Sequence, residues 1–252
     1  MVRGVVLYRG PSLIDGGPIV AIATFRSSNQ KTGDVPQVWI LREDEPPVQA
    51  AKTGADRSIC GDCPLRGRVV DGRNVERGCY VVLHQAPSAV WLAYRRGVYR
   101  EVKTARLARL FAGAFVRLGA YGDPAAVPIE VWRTMLVHTR GWTAYTHQWR
   151  TAELQALAMA SCETDADARE AIARGYRVFR VVAPGAPRLR GHIPCPASSE
   201  QGRRLTCMEC RTCNGTASGL PGAHVQIEAH GQRRRFALPV LASTEGGRAC
   251  AR

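Results

Sequence analysis

The sequence predicts an α/β protein with a mostly parallel sheet, either open or curled into a partial (β/α) barrel. Three observations carry that prediction. Strand-length apolar runs alternate with helical segments through the middle of the 252 residues, which favours parallel strands joined by right-handed crossovers. The N-terminal third reads as an antiparallel β-hairpin. Beyond about Gly191 the alternation gives way to a cysteine-rich, glycine- and serine-containing segment. The expected division is an α/β core over 1–190, carrying a first cysteine group, and a cysteine-rich metal-binding segment over 191–252 packed on it.

The elements follow in chain order. Val5-Val6-Leu7-Tyr8 and the apolar residues 19–25 are the hairpin strands, and the Gly/Pro-containing residues 10–18 turn between them. Val38-Trp39-Ile40-Leu41 is the next strand and delivers the chain toward Cys60. After the apolar run 89–94, the spacing of Val102, Leu107, Leu110, Phe111 and Phe115 predicts an amphipathic helix. Residues 116–121 read as a strand, Gly122-Asp123-Pro124 as its loop, and 128–138 as a helix opened by Pro128. Strands at 142–146 and 157–160, a helix at 166–173 and a strand at 176–182 complete the alternation. In such folds ligands gather at the carboxyl ends of the strands, where Asp123, His147, Gln148, Cys162 and Glu163 fall. Asp123 and His147 are the candidate catalytic residues among them.

Seven of the nine cysteines form two groups at metal-ligand spacings, Cys60, Cys63 and Cys79, and Cys195, Cys207, Cys210 and Cys213. A C-x-x-C turn lets two thiolates reach one soft or borderline cation. The later group supplies three sulfurs from one short loop and a fourth from Cys195. Three cysteines at successive intervals of three with a remote fourth point to a 4Fe-4S cluster ahead of zinc. The earlier group shows three thiolates, so either His84, Cys162 or Asp71 supplies a fourth ligand or the position stays open to substrate. Cys250 is expected to be a mobile terminal thiol.

An odd cysteine number, metal-like spacings and a Met1-Val2-Arg3-Gly4 start without an apolar leader suit a reducing, cytoplasmic setting. No apolar stretch approaches the roughly 18 residues of a membrane-spanning helix. The formal charge of +14 is almost wholly arginine, since Lys31, Lys52 and Lys103 are the only lysines. That excess suggests DNA or RNA as a partner, through guanidinium–phosphate pairing; a GC-rich coding bias would give the same composition.

The runs Ser12-Leu13-Ile14-Asp15-Gly16, Lys31-Thr32-Gly33-Asp34, Thr53-Gly54-Ala55-Asp56-Arg57-Ser58-Ile59-Cys60-Gly61-Asp62-Cys63, Cys79-Tyr80-Val81, Gly141-Trp142-Thr143-Ala144-Tyr145-Thr146-His147 and Cys195-Pro196-Ala197-Ser198 resemble a cysteine-rich family of bacterial, plasmid and phage proteins to which no activity is attached. The resemblance spans nearly the whole chain. More distantly, the cysteine–tyrosine pair, the Gly122-Asp123 loop, the Ala144-Tyr145-Thr146 strand end and the late cysteines are similar to the phage gene-88-product family, itself loosely similar to radical S-adenosylmethionine enzymes. The radical enzymes' C-x3-C-x2-C run and their Gly-Gly-Glu segment are missing here. Two expectations follow. One is a cluster-dependent enzyme, with S-adenosylmethionine as cosubstrate and a nucleotide or nucleic acid as substrate. The other is a zinc-stabilised nucleic-acid-binding accessory protein without catalysis.

Overall fold

The computed structural model describes residues 3–200, 202, 205–216 and 223–229. β1 (Gly4–Pro11) and β2 (Pro18–Thr24) form the N-terminal hairpin, with Val5 opposite Ala23 and Gly10 opposite Ile19. Its turn is held by Ser12 N donating to Gly17 O at 2.8 Å and by Asp15 Oδ1, which accepts from Gly17 N at 3.0 Å. β3 (Gln37–Arg42) adds to β2, again antiparallel. α1 (Pro47–Thr53) opens on a proline and ends at Gly54, whose φ of 84° no longer continues a helix.

The chain then runs through α2 (Arg57–Cys60), the mostly exposed hairpin of β4 (Arg68–Val70) and β5 (Arg73–Val75), α3 (Ala86–Arg95), β6 (Arg100–Glu101) and α4 (Leu107–Leu110). β7 (Phe115–Tyr121), α5 (Ile129–Leu136), β8 (Gly141–Thr143), β9 (Tyr145–Thr146), β10 (Met159–Cys162), α6 (Asp165–Ala173) and β11 (Val178–Val182) form the alternating part. β12 (His192–Pro194), α7 (Cys207–Cys210) and β13 (His224–Glu228) follow.

One sheet has the order β6-β1-β2-β3-β7-β8 and the other β12-β13-β11-β10-β9. Every pairing in the second sheet is parallel, and in the first β3, β7 and β8 are parallel to one another. The sheets meet at Ala144, the single residue between β8 and β9. Its N–H donates to Cys213 O at 2.9 Å, and its carbonyl accepts from Met159 N at 3.0 Å. Both sheets are open: among the described residues no pairing closes them into a barrel. No described helix is long and apolar enough to cross a membrane.

Two expectations are corrected. The amphipathic helix expected over 102–115 is only α4, preceded by a 3-10 turn at Thr104–Arg106. Gly113, at φ 71°, ends the helical spacing, and Phe115 turns inward as the first residue of β7. The strand expected at 157–160 forms two residues later, as β10. Leu157 N and Ala158 N both donate to Leu154 O, at 2.9 and 2.8 Å, which spends those residues in a turn. The later start carries the strand through Ser161 and Cys162, whose side chains therefore point to opposite faces.

Chain beyond residue 190 supplies β12 and β13 to the second sheet. Arg177 fastens the intervening loop, donating to Asn214 Oδ1 at 3.1 Å and to Gly215 O and Ala223 O at 3.0 Å. Cys250 and the clusters Arg203-Arg204 and Arg233-Arg234-Arg235 lie outside the described residues.

His192 and His224 pair across β12 and β13 with ring centres 5.0 Å apart. Burial lowers both pKa values; the Arg180 charge adds to the effect at His192, and His192 and Arg177 add to it at His224. Folding therefore favours neutral rings. The stability this lends is fully present above the unfolded histidine pKa of about 6.5 and is lost as pH falls from there toward the folded values. Thermal melts from pH 7.5 to 5 should show that loss, and His224→Gln, which keeps an acceptor for Val178 N, should lessen it. An unchanged pH slope would contradict the assignment.

Candidate functional site

The first cysteine group is assembled by local turns. α2 ends at Cys60, Gly61 reverses the chain at φ 55°, and Cys63 N donates back to Cys60 O at 3.3 Å. Cys79 N then donates to Leu65 O at 2.8 Å, which sets Cys79 beside that turn. Below it Asp56, fully buried, accepts from Arg66 Nη1 and Arg77 Nη1, each at 2.8 Å. That carboxylate ties the C-x-x-C turn to the loop leading into Cys79. Burial pushes the Cys60 thiol well up, with Asp56 and Cys63 adding to the shift. Burial also raises Cys79, against the pull of Arg77. Thiols held this way give up their protons most readily to a bound cation.

All three cysteines line a cavity of about 370 Å³, and so do Asp123 and His147. Asp123 follows β7. Its N–H donates to Ile59 O at 2.6 Å and its Oδ1 accepts from Ala125 N at 2.9 Å. Oδ2 accepts from His147 N at 2.7 Å, so the two strand ends are pinned together. Burial raises the Asp123 pKa, and the two N–H donors work against it. His147 Nε2 lies 2.9 Å from Glu163 Oε1 and 3.7 Å from Cys63 Sγ. Burial opposes the imidazolium, but Cys63 and Glu163 outweigh it and hold the His147 pKa well above its ordinary value. An imidazole so placed can hold a proton at Nε2 or ligate a cation there.

Gly122 makes this corner possible. Its φ is 86°, and a Cβ there would come within 2.7 Å of Ile40 O and Cβ. Gly122→Ala is expected to cost at least about 2 kcal/mol, from backbone strain and overpacking together. Urea unfolding checks this, and a wild-type midpoint would contradict it.

The second cysteine group is shaped by α7. Thr206 caps the helix by accepting from Glu209 N at 3.3 Å, and the Glu209 carboxylate accepts from Thr206 N at 2.7 Å. Cys207 and Cys210, three apart on one turn, share a face, and Arg211 at φ 54° swings the chain to bring in Cys213. Cys207 N donates to Lys31 O at 2.8 Å, and Cys195 N to Gln226 O at 2.9 Å. All four sulfur residues line a second, small cavity of about 20 Å³, shared with Lys31 and Tyr145. Burial raises the thiols of Cys195, Cys207 and Cys213. Among the described residues no group of three or more His, Cys, Asp and Glu side chains stands, as placed, ready to hold one metal ion. Three thiols beside an imidazole, and four thiols around one small cavity, nevertheless match the donor chemistry of such centres.

Of the five expected rim residues, Asp123 and His147 line the main cavity, and Glu163 reaches it through His147. Gln148 instead supports the loop, its Nε2 donating to Cys60 O at 3.3 Å. Cys162 faces the opposite side of β10, fully buried in the core against α6, where it can neither rim the cavity nor ligate the first group. Asp71 sits in the exposed turn of the β4–β5 hairpin, and His84 is not on the cavity wall. Sequence reasoning missed Lys31, Arg117, Tyr121 and Tyr145 on that wall. The signal was present: 117, 119 and 121 on β7 with 123 just past its end, and 143 on β8, 145 on β9 and 147 just past it, recur at every second residue.

No protein-family model matches the chain, and neither a curated protein nor a solved structure matches it.

Proposed function

We propose that this chain is a metal-binding, iron-sulfur α/β protein of phage or plasmid type, acting in the cytoplasm as a radical-SAM-like enzyme on a nucleotide or nucleic acid. The observation that carries this reading is the convergence of Cys60, Cys63, Cys79 and Cys207 with Asp123 and His147 on one cavity of about 370 Å³. Cys60, Cys63 and Cys79 would hold one 4Fe-4S cluster, and Cys195, Cys207, Cys210 and Cys213 would hold a second. The chemistry such a cluster would supply, when bound and reduced by an external donor, is an electron for a cosubstrate such as S-adenosylmethionine. The chain's own residues supply position and a proton. Asp123 fixes the His147 backbone, and His147 Nε2 together with Glu163 Oε1 forms the pair that gives or takes the proton.

Anaerobic protein reduced with dithionite is expected to consume S-adenosylmethionine. His147→Ala should keep its iron yet turn over about 100-fold more slowly or worse, the usual size of a lost general acid–base. Iron-loaded wild type that leaves S-adenosylmethionine intact would sink the radical reading.

One distance favours a second reading. Two ligands on a tetrahedral zinc, at about 2.3 Å for sulfur and 2.0 Å for nitrogen, stand roughly 3.5 Å apart; Cys63 Sγ and His147 Nε2 are 3.7 Å apart. A Cys3His zinc site of this kind, with the arginine excess, makes a zinc-stabilised nucleic-acid-binding accessory protein without catalysis. Colourless protein with stoichiometric zinc and DNA or RNA affinity that falls with salt is its expected signature. Absence of affinity at low salt would remove it.

A further inference from the structure

The cavity between the two cysteine groups is lined by two cations, Arg117 and Lys31, that no described carboxylate pairs with. β7 presents Arg117 and Tyr121 to it, with Asp123 beyond the strand end, so the guanidinium and the carboxylate stand at different levels of the wall. Arg117 is 8% exposed. Its guanidinium makes one hydrogen bond among the described residues, from Nη2 to the Tyr80 hydroxyl at 2.8 Å, and its buried Nε has no partner. No described carboxylate pairs with it; its neighbours there are the weak acids Tyr80, Tyr145 and Cys207. Leaving a guanidinium buried without a counter-charge is strongly unfavourable. Lys31 lies on the walls of both cavities and also has no carboxylate partner among the described residues. The carboxylate on the main cavity's wall, Asp123, is taken up by Ala125 N and His147 N.

We propose that Arg117 and Lys31 form an anion subsite, which takes the phosphate or carboxylate group of a small molecule whose other end points toward Cys60, Cys63, Cys79 and His147. A guanidinium accepts either anion through two parallel hydrogen bonds, and the nearby ammonium adds a second charge. Tyr121 lies four residues along β7 from Arg117, about 13 Å, roughly the length of a mononucleotide. A volume of about 370 Å³ suits a small molecule and is too small for a folded nucleic acid. The subsite rests on the reading of this cavity as the substrate site, and it narrows that substrate to a compact anion.

The test is calorimetric titration of the full chain purified without oxygen, at low salt, with metal content measured on the same sample. Inorganic phosphate, acetate, adenosine monophosphate and uncharged adenosine are the probes. Saturable one-to-one binding of an anionic probe, lost at least tenfold in Arg117→Met, weakened in Lys31→Ala and only partly kept in Arg117→Lys, which retains the charge but not the paired hydrogen bonds, is expected; adenosine should not bind. Phosphate binding without acetate binding identifies a phosphate site, and the reverse a carboxylate site. Lys31 is only partly buried, so its variant stays informative if Arg117→Met fails to fold. Metal-loaded protein that binds no anionic probe, or binds equally well in both charge-removing variants, would overturn the subsite while leaving the metal centres standing. Anion binding by protein that holds no metal would do the reverse.

Discussion

Cys213→Ser is expected to empty the later centre of metal and to release the segment from Cys195 to Thr216 from the sheets. Cys213 is buried and does two jobs: its sulfur lines the four-cysteine cavity and its carbonyl accepts from Ala144 N at the meeting point of the two sheets. The segment around it has little apolar material of its own; its cluster of buried residues is Met159, Cys195, Ala197, Cys213, Val225 and Ile227. Metal binding in small thiolate domains is worth roughly 10 to 16 kcal/mol, as much as the whole stability of an ordinary domain. Losing it should expose the 195–216 stretch to protease and to hydrogen exchange, and should lower the melting temperature of metal-loaded protein by ten degrees or more, at about 2 to 4 °C per kcal/mol for a chain of this size. Cys210→Ser should behave alike. Unchanged metal content and protection in both variants would show that these four sulfurs are merely small buried side chains.

Asp56→Ala is expected to have the largest effect of any substitution away from the sulfurs. Asp56 is fully buried and neutralises two guanidiniums, Arg66 and Arg77, the second only 7% exposed. Arg77 already keeps two buried nitrogens without partners, Nε and Nη2. Removing the carboxylate leaves two confined cations facing each other, a loss of roughly 3–5 kcal/mol. For this chain length that is a fall in melting temperature of very roughly 6 to 20 °C. The loops bearing Cys60, Cys63 and Cys79 should also separate, so metal at the first centre should fall with stability. A melting temperature within a degree of wild type would mean that the carboxylate does not hold these loops.

Much of the fold was legible because its signals are local. The hairpin follows from the glycine-rich turn around Asp15 and Gly16, and α5 from Pro128; α6 is capped in the structure by Thr164, whose hydroxyl accepts from Asp167 N at 2.8 Å. The placing of Asp123, His147 and Glu163 at strand ends was legible for the same reason. Two errors came from signals that compete locally. Leu107, Leu110 and Phe111 keep helical spacing, but Gly113 breaks it, and Phe115 takes its place from pairing with Gly141 on β8. The position of β10 is set by Met159 and Ala160 pairing with Tyr145 and Thr146, not by its own apolar run.

What the sequence could not supply is the long-range part of the site. Cys63 reaches His147, 84 residues away, because Asp123 N binds Ile59 O and so docks α2 on the end of β7. The convergence of Asp56, Arg66 and Arg77 likewise depends on where a loop closes, and a lone aspartate beside C-x-x-C reads as an ordinary turn residue. Arg117 is one arginine among many until β7 turns it toward the cavity.

The central claim is that both cysteine groups hold metal, and the most direct test is the iron, zinc and acid-labile sulfide content of the chain purified without oxygen. The account predicts about eight irons with matching sulfide and a brown chromophore, two 4Fe-4S clusters' worth. About two zincs without colour would keep the centres and move the function to the nucleic-acid-binding reading. Protein holding neither metal, folded and stable, would contradict the account.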